Sequence, residues 1–223
     1  MYEPEGPAQR SVDILFIHGL GGTSLRTWCY NRDLRFLWPQ LWLPQESELV
    51  SARILSYGYN AHFSKTGEQA SLAIGDFASD MLFRMRYAES GPHRLGQVPV
   101  IVVAHSMGGL VFKKAFVHGL LNDEFRSIIS VIKAVMFMAT PHRGSNLANV
   151  LNKILKSSVF GHSPKDYVAE LARRSPTIDE LNETFRHHAS KVQIFSFYET
   201  QSTSIGPMST IIVDKDSGIL GYP

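Results

Sequence analysis

The sequence predicts an α/β domain built on a mostly parallel sheet with helices on both faces. Three observations carry this. Short β-branched and aromatic runs recur along the 223-residue chain and alternate with stretches of helical periodicity. The strongest run, residues 98–103 (VPVIVV), is apolar at every position, as a strand buried on both faces of a parallel sheet requires. Two glycine-rich turns, HGLGG at 18–22 and AHSMGG at 104–109, each follow such a run. In open parallel sheets ligands bind at the carboxyl ends of strands, so turns of this kind mark the functional edge.

The elements follow in order. Residues 12–17 (VDILFI) read as the first strand. Residues 25–43, rich in Trp, Leu and Phe with interspersed Arg, read as a loop and short helix packed over the domain, ending near Pro44. Residues 52–57 (ARILSY) are a second strand, stopped by Gly58. Residues 67–88 carry Ala70, Ile74, Phe77, Met81 and Met85 at helical spacing, and Gly91-Pro92 breaks the pattern. After the third strand at 98–103, residues 107–121 read as a helix and residues 131–139 (VIKAVMFMA) as a fourth strand, ended by Thr140-Pro141. Residues 145–189 are mainly helical in pattern, with a break at 161–164. Residues 191–198 (KVQIFSFY) give a fifth strand and 209–213 (STIIV) a sixth. The expected organisation is a disordered tail over residues 1–10, then one domain over 11–223.

Bulk properties narrow the class. The chain is 44% hydrophobic and 19% charged with a formal charge of +2, an ordinary globular balance that argues against nucleic-acid binding. The lone Cys29 cannot form an internal disulfide, and residues 1–13 lack the apolar core of a secretory signal. An intracellular, cytoplasmic chain is expected. No run approaches the roughly 18 apolar residues of a membrane span.

The chemistry centres on Ser106. Ala104-His105-Ser106-Met107-Gly108 fits the G-x-S-x-G nucleophile elbow, with Ala in the first small position. The strand-to-helix turn is so sharp that large side chains two residues either side would clash, and it lifts the hydroxyl above the sheet. The Met107 N–H, at the start of the helix, is then placed for an oxyanion. His105, adjacent on the strand, should point to the other side and serve as packing. HGLGG can bring a second N–H, that of Leu20, close to the same point, because glycine lacks Cβ. It has neither the Lys-Ser/Thr of a phosphate loop nor a G-x-G-x-x-G spacing, so no nucleotide, cofactor or metal is called for.

Taken together, FIHGLGG, SYGYNA, VVAHSMGGLVFKKA, ATPHRGS, FSFYET and VDKDSGILGYP resemble the DUF676/SERAC-like serine esterases of the α/β-hydrolase superfamily, over residues 11 to 223. The resemblance implies an α/β-hydrolase fold, a Ser-acid-His triad and an acyl ester or lipid substrate. It also implies fusion to NACHT, ankyrin or TPR domains in longer fungal proteins, and compatibility with peripheral contact at a mitochondrial or ER membrane.

The triad of this fold runs nucleophile, acid, base along the chain. Glu199, directly after KVQIFSFY, is the preferred acid; Asp214 after STIIV is the alternative, then Asp216. No histidine follows Glu199. The resemblance puts the base just beyond L-G-Y-P, so the chain reads as a fragment ending before it. A substitute base would be His142 in Thr140-Pro141-His142-Arg143-Gly144, although its expected role is to hold that loop; His187-His188 read as a helix end. Trp28, Phe36, Leu37, Trp38, Leu41 and Trp42 read as core packing, with an acyl pocket or lid as the functional alternative. The rival to an esterase is a hydrolase-fold module that has lost catalysis and serves in signalling or protein interaction.

Overall fold

The apolar runs pair side by side into one sheet. The computed structural model describes residues 1–4, 10–60, 74–88, 93–143, 178–205, 208–211, 213 and 215–220. Five strands, β1 (Val12–Ile17), β2 (Ala52–Tyr57), β3 (Val100–His105), β4 (Ile132–Met138) and β5 (Gln193–Phe197), lie in the order β2-β1-β3-β4-β5, all parallel. The described helices are α1 (Trp38–Leu41), α2 (Ile74–Tyr87), α3 (Met107–Leu121), α4 (Asp123–Ser130), α5 (Ile178–Arg186) and α6 (Lys215–Gly218).

Strand alternation sorts side chains onto two cores. Leu15, Ile17, Val100, Val102, Ala104, Val135 and Phe137 face α2, α3 and α5 in the larger one. Ile14, Phe16, Ile54 and Val103 face the other side, where Trp28 and Leu37 of the 25–43 segment cover them. Helix α3 is buried along most of its length, from Met107 to Gly119. Its all-round apolar character is what a helix set between the sheet and the flanking helices α2, α4 and α5 requires.

The structure departs from the sequence reading at four places. Strand β3 starts at Val100 rather than residue 98, because Pro99 has no N–H to give the ladder, although its carbonyl accepts from Asp13 N–H (2.9 Å). Helix α4 was not expected. Asn122 caps it, its side chain accepting from Glu124 N–H at 3.0 Å, and Asp123 and Glu124 occupy the first turn. The expected sixth strand does not join the sheet: Met208–Thr210 (β7) pairs antiparallel with Thr203–Ile205 (β6) in a separate ribbon. Only Gly206-Pro207 separates the two strands in sequence, so the ribbon closes locally. Finally, the start of the chain is not a free tail: Tyr2 and Ile54 exchange N–H···O bonds of 3.1 and 2.9 Å at the outer edge of β2. The helical patterns read at 67–73 and 145–177, and the breaks at 91–92 and 161–164, fall outside the described residues.

The chain runs from β1 to β2 on one side and then to β3 on the other. The carboxyl ends of β1 and β3, with Ile17 beside Ala104, therefore flank a topological switch point. HGLGG leaves one of these strands and Ser106 ends the other.

Candidate active site

Ser106 is the joint between β3 and α3. Its N–H still donates to Met138 O (2.9 Å), continuing the ladder, while its carbonyl already accepts from Gly109 N–H (3.0 Å). Satisfying both within one residue forces φ 53° and ψ −124°, a left-handed backbone that a residue with a Cβ rarely adopts. Such strain persists only where the surroundings fix it, and it clusters at functional sites. Ser106 is 4% exposed, and among the described residues its Oγ has no hydrogen-bond partner.

The surroundings that fix it are small residues. A Cβ on Gly108 would stand 2.5 Å from His18 O and 2.6 Å from Ile17 O. A Cβ on Gly109 would overlap the Thr140 side chain, and one on Gly19 would come within 2.8 Å of Ser106 Cβ. Helix α3 can thus seat its first turn on the end of β1 only because these positions are bare. The HGLGG loop is held by His18. Its Nε2 accepts from Tyr59 N–H (3.3 Å), which leaves the proton on Nδ1 to be donated to Gly19 O (2.9 Å). The ring stacks on Tyr59 at 4.3 Å, and Tyr59 Oη donates to His18 O (2.8 Å). Gly22 N–H closes the turn on Gly19 O, with Gly21 at φ 69° where such a turn needs glycine. Leu20 sits in this turn, buried, and Met107 opens α3, so the two N–H groups named from sequence belong to the neighbouring ends of β1 and β3.

Of the candidate acids, Glu199 is the one the structure ties down. Glu199 follows β5; its N–H donates to Val213 O and its Oε2 accepts from Val213 N–H, both at 3.3 Å. Asp214 is the next residue in sequence after Val213 but lies outside the described residues. Asp216 is exposed on α6.

Two histidines near this edge are held neutral by the burial of their ring nitrogens. His105 lies on the strand before Ser106; burial, then the neighbouring His18, lowers its pKa to about 4, and its Nδ1 has no partner among the described residues. His142 is fully buried. Its Nδ1 lies 2.8 Å from Lys113 Nζ, which donates to Asn182 Oδ1 at 2.7 Å, and its ring packs edge-on against Phe137. Burial, then Lys113 and Arg143, lowers its pKa to about 2, and the His142 N–H donates to Ser217 O at 2.6 Å. A ring this weakly basic, with one nitrogen engaged by a lysine, is suited to holding the 140–143 loop rather than to taking a proton. His187 approaches Glu183 on the surface of α5. The Lys113–His142–Asn182 cluster was not foreseen. Its one sequence signal is the Lys113-Lys114 pair inside the mostly apolar α3 run.

These rings set a pH dependence. Unfolded, each titrates near 6.5; folded, neither binds a proton until about pH 4 or below. Between these values the unfolded chain binds more protons, so stability falls as pH falls, by up to about 3 kcal/mol per ring at about pH 4. Urea denaturation midpoints should drop between about pH 7 and about pH 5. A midpoint that is flat or rises in acid would contradict the burial of these rings.

The 25–43 segment is a string of one-turn helices that splits its aromatics. Trp28 and Leu37 are buried in the smaller core, with Trp28 edge-on to Phe16 at 4.8 Å. Phe36, Leu41 and Trp42, by contrast, are exposed. Core packing therefore accounts for only part of the set read from sequence.

The chain has relatives among known proteins. No protein-family model matches it. It is 34% identical to protein SERAC1 of Danio rerio over 225 residues, which are 91% of this chain and 32% of that protein. SERAC1 of Mus musculus is 31% identical over 230 residues, 94% of this chain and 34% of that protein. The homologues of this chain are SERAC1 proteins. The chain spans about a third of the length of these relatives. Among solved structures, phospholipase PlaB from Legionella pneumophila matches 83% of the chain with a TM-score of 0.56 and 21% identity, over 38% of its own length. Lipase BlEst2 from Bacillus licheniformis matches 86% with a TM-score of 0.51 and 18% identity, over 37% of its length. At these identities the likeness is one of fold, and the fold of this SERAC1 homologue is that of the α/β-hydrolases, as read from its motifs.

Proposed function

We propose that the chain is a serine hydrolase of carboxylic or lipid acyl esters. The observation that carries this is Ser106: a buried serine in a strained strand-to-helix turn, at the switch point of a parallel sheet, with its hydroxyl uncommitted. A serine kept only for packing or capping would not need that backbone.

In this reading Ser106 Oγ attacks the ester carbonyl carbon. The negative charge that develops on the carbonyl oxygen is met by the Met107 N–H, reinforced by the α3 N-terminus, and by the Leu20 N–H. Collapse releases the alcohol and leaves an acyl group on Ser106, which water then removes. The serine proton passes to a histidine oriented by Glu199, whose carboxylate is steadied by Val213 N–H; Asp214, one residue beyond Val213, is the second choice. Two proteins of like fold are named a phospholipase and a lipase, and that is the substrate class the proposal adopts.

One observation favours a second reading. Among the described residues no histidine is hydrogen-bonded to Ser106 Oγ, which fits a hydrolase fold retained for binding without turnover. Hydrolysis of short- and long-chain p-nitrophenyl esters by the full chain separates the two. Turnover above background supports the esterase; its absence across both chain lengths supports the binding module.

A further inference from the structure

Helix α3, which starts at Ser106, grips the loop after β4 at two points on one face. Gly109 and Lys113 are four residues apart, so one lies above the other. The Thr140 side chain fills the space that a Cβ on Gly109 would need. Lys113 takes hold two residues further along the loop. Its Nζ donates to His142 Nδ1 at 2.8 Å and to Asn182 Oδ1 at 2.7 Å. The loop is strained where it leaves β4: Ala139 has φ 46°, and its N–H donates to Phe197 O at 2.8 Å. A left-handed alanine persists only where neighbours fix it.

Stability does not account for this lysine. Lys113 is fully buried, and among the described residues it meets an imidazole, an amide and the faces of Phe137 and Phe185, but no carboxylate. Burial pushes its pKa well below the usual lysine range. Its bond to Nδ1 leaves the His142 ring proton on Nε2, which has no acceptor among the described residues. Hydrocarbon in place of such buried polar groups is often neutral or stabilising. The main chain of His142 shows what the cluster holds. That N–H donates to Ser217 O at 2.6 Å, on α6. The next residue, Gly218, packs its bare Cα on Tyr198 and Val213; a Cβ there would stand 2.7 Å from Tyr198 Cβ. Both touch the candidate acid: Tyr198 precedes Glu199 in sequence, and Val213 N–H donates to the Glu199 carboxylate.

We propose that Lys113 is a positioning residue for the triad acid, an inference that rests on the esterase reading above. Lys113 holds the His142 ring, the His142 N–H holds Ser217, and α6 with Val213 then sets where the acid stands relative to the helix that carries Ser106. The link serves either candidate, since Asp214 falls between Val213 and α6 in sequence. Lys113 itself meets no substrate and moves no proton.

Kinetics, denaturation and amide exchange of the full chain test it together. Lys113→Met should lower kcat on p-nitrophenyl butyrate by about ten- to a hundredfold with KM within about twofold, because a misplaced group slows the chemical step more than binding. Its urea midpoint should stay level or rise. His142→Leu should lower kcat about as much, and the double variant no further than either single one. Lys114→Met, beside the cluster but outside it, should leave kcat and exchange unchanged. By mass spectrometry, residues 213–218 should exchange amide hydrogens at least about fivefold faster in Lys113→Met, with α2 unaffected. The proposal is overturned if Lys113→Met keeps the wild-type kcat, or if exchange at 213–218 does not change. A urea midpoint that falls in step with kcat also overturns it, since the lysine would then be a plain structural contact. Wild-type chain without turnover would contradict the esterase reading instead, and exchange alone would then decide the link: faster exchange supports it and unchanged exchange overturns it.

Discussion

Ser106→Ala should lower ester hydrolysis by the full chain by roughly three to six orders of magnitude, leaving the fold intact. The size follows from what is removed. The N–H groups of Met107 and Leu20 and the substrate contacts survive, and they sustain only a residual rate, because no covalent intermediate can form. Alanine keeps the Cβ, so the strained φ of 53° persists and stability should barely move. Ser106→Gly separates activity from strain. It should be equally inactive yet more stable, by about 1 kcal/mol, since glycine adopts this backbone freely. A serine that is incidental to the turn would give neither the loss nor the trade. Glu199→Gln and Asp214→Asn then rank the acids, with the larger loss of kcat expected for Glu199→Gln.

Asp13→Ala should destabilise the domain by about 3–5 kcal/mol, a large share of a total near 5–15 kcal/mol. Asp13 and Arg53 are register partners on β1 and β2, and neither is exposed. Their carboxylate and guanidinium meet through two bonds, Nε to Oδ1 at 2.8 Å and Nη2 to Oδ2 at 2.9 Å. The third Arg53 nitrogen, Nη1, donates to the His93 carbonyl, and Arg10 Nε lies 3.7 Å from Asp13. The pair as a whole need not add much, because desolvation offsets most of the attraction. Removing one partner is different, since it leaves a guanidinium buried without its counter-charge. The double variant Asp13→Ala/Arg53→Met should therefore recover much of the loss, and urea denaturation of the cycle measures this. A single variant within about 1 kcal/mol of the wild type would contradict the burial of the pair.

This pair shows what the sequence makes legible and what it does not. VDILFI and ARILSY are recognisable as strands because their apolar runs dominate, and β1 and β2 occupy the residues read for them. That each run carries a charge at its second position is visible too, but only the parallel register turns Asp13 and Arg53 into partners. The same holds at the site. The Ser106 turn and the glycines beside it are local features with a spacing, so they can be read in one dimension. Thr140 against Gly109, Tyr59 on His18, and Lys113 with His142 and Asn182 join residues far apart in the chain, and no periodicity announces them. The sixth strand went astray for a related reason. β-propensity says that residues 208–210 extend, but not whether they pair with the main sheet or with the residues just before them. Helix α4 is the reverse case: Asn122-Asp123-Glu124 is a helix start in sequence, overlooked beside the long apolar α3 run.

The account rests on Ser106 being a nucleophile, and covalent trapping tests that without choosing a substrate. The full chain would be treated with a fluorophosphonate and its adducts located by peptide mass spectrometry. A single adduct on Ser106, absent from Ser106→Ala, is the predicted result. No adduct, or an adduct on another residue with Ser106 unmodified, would contradict it.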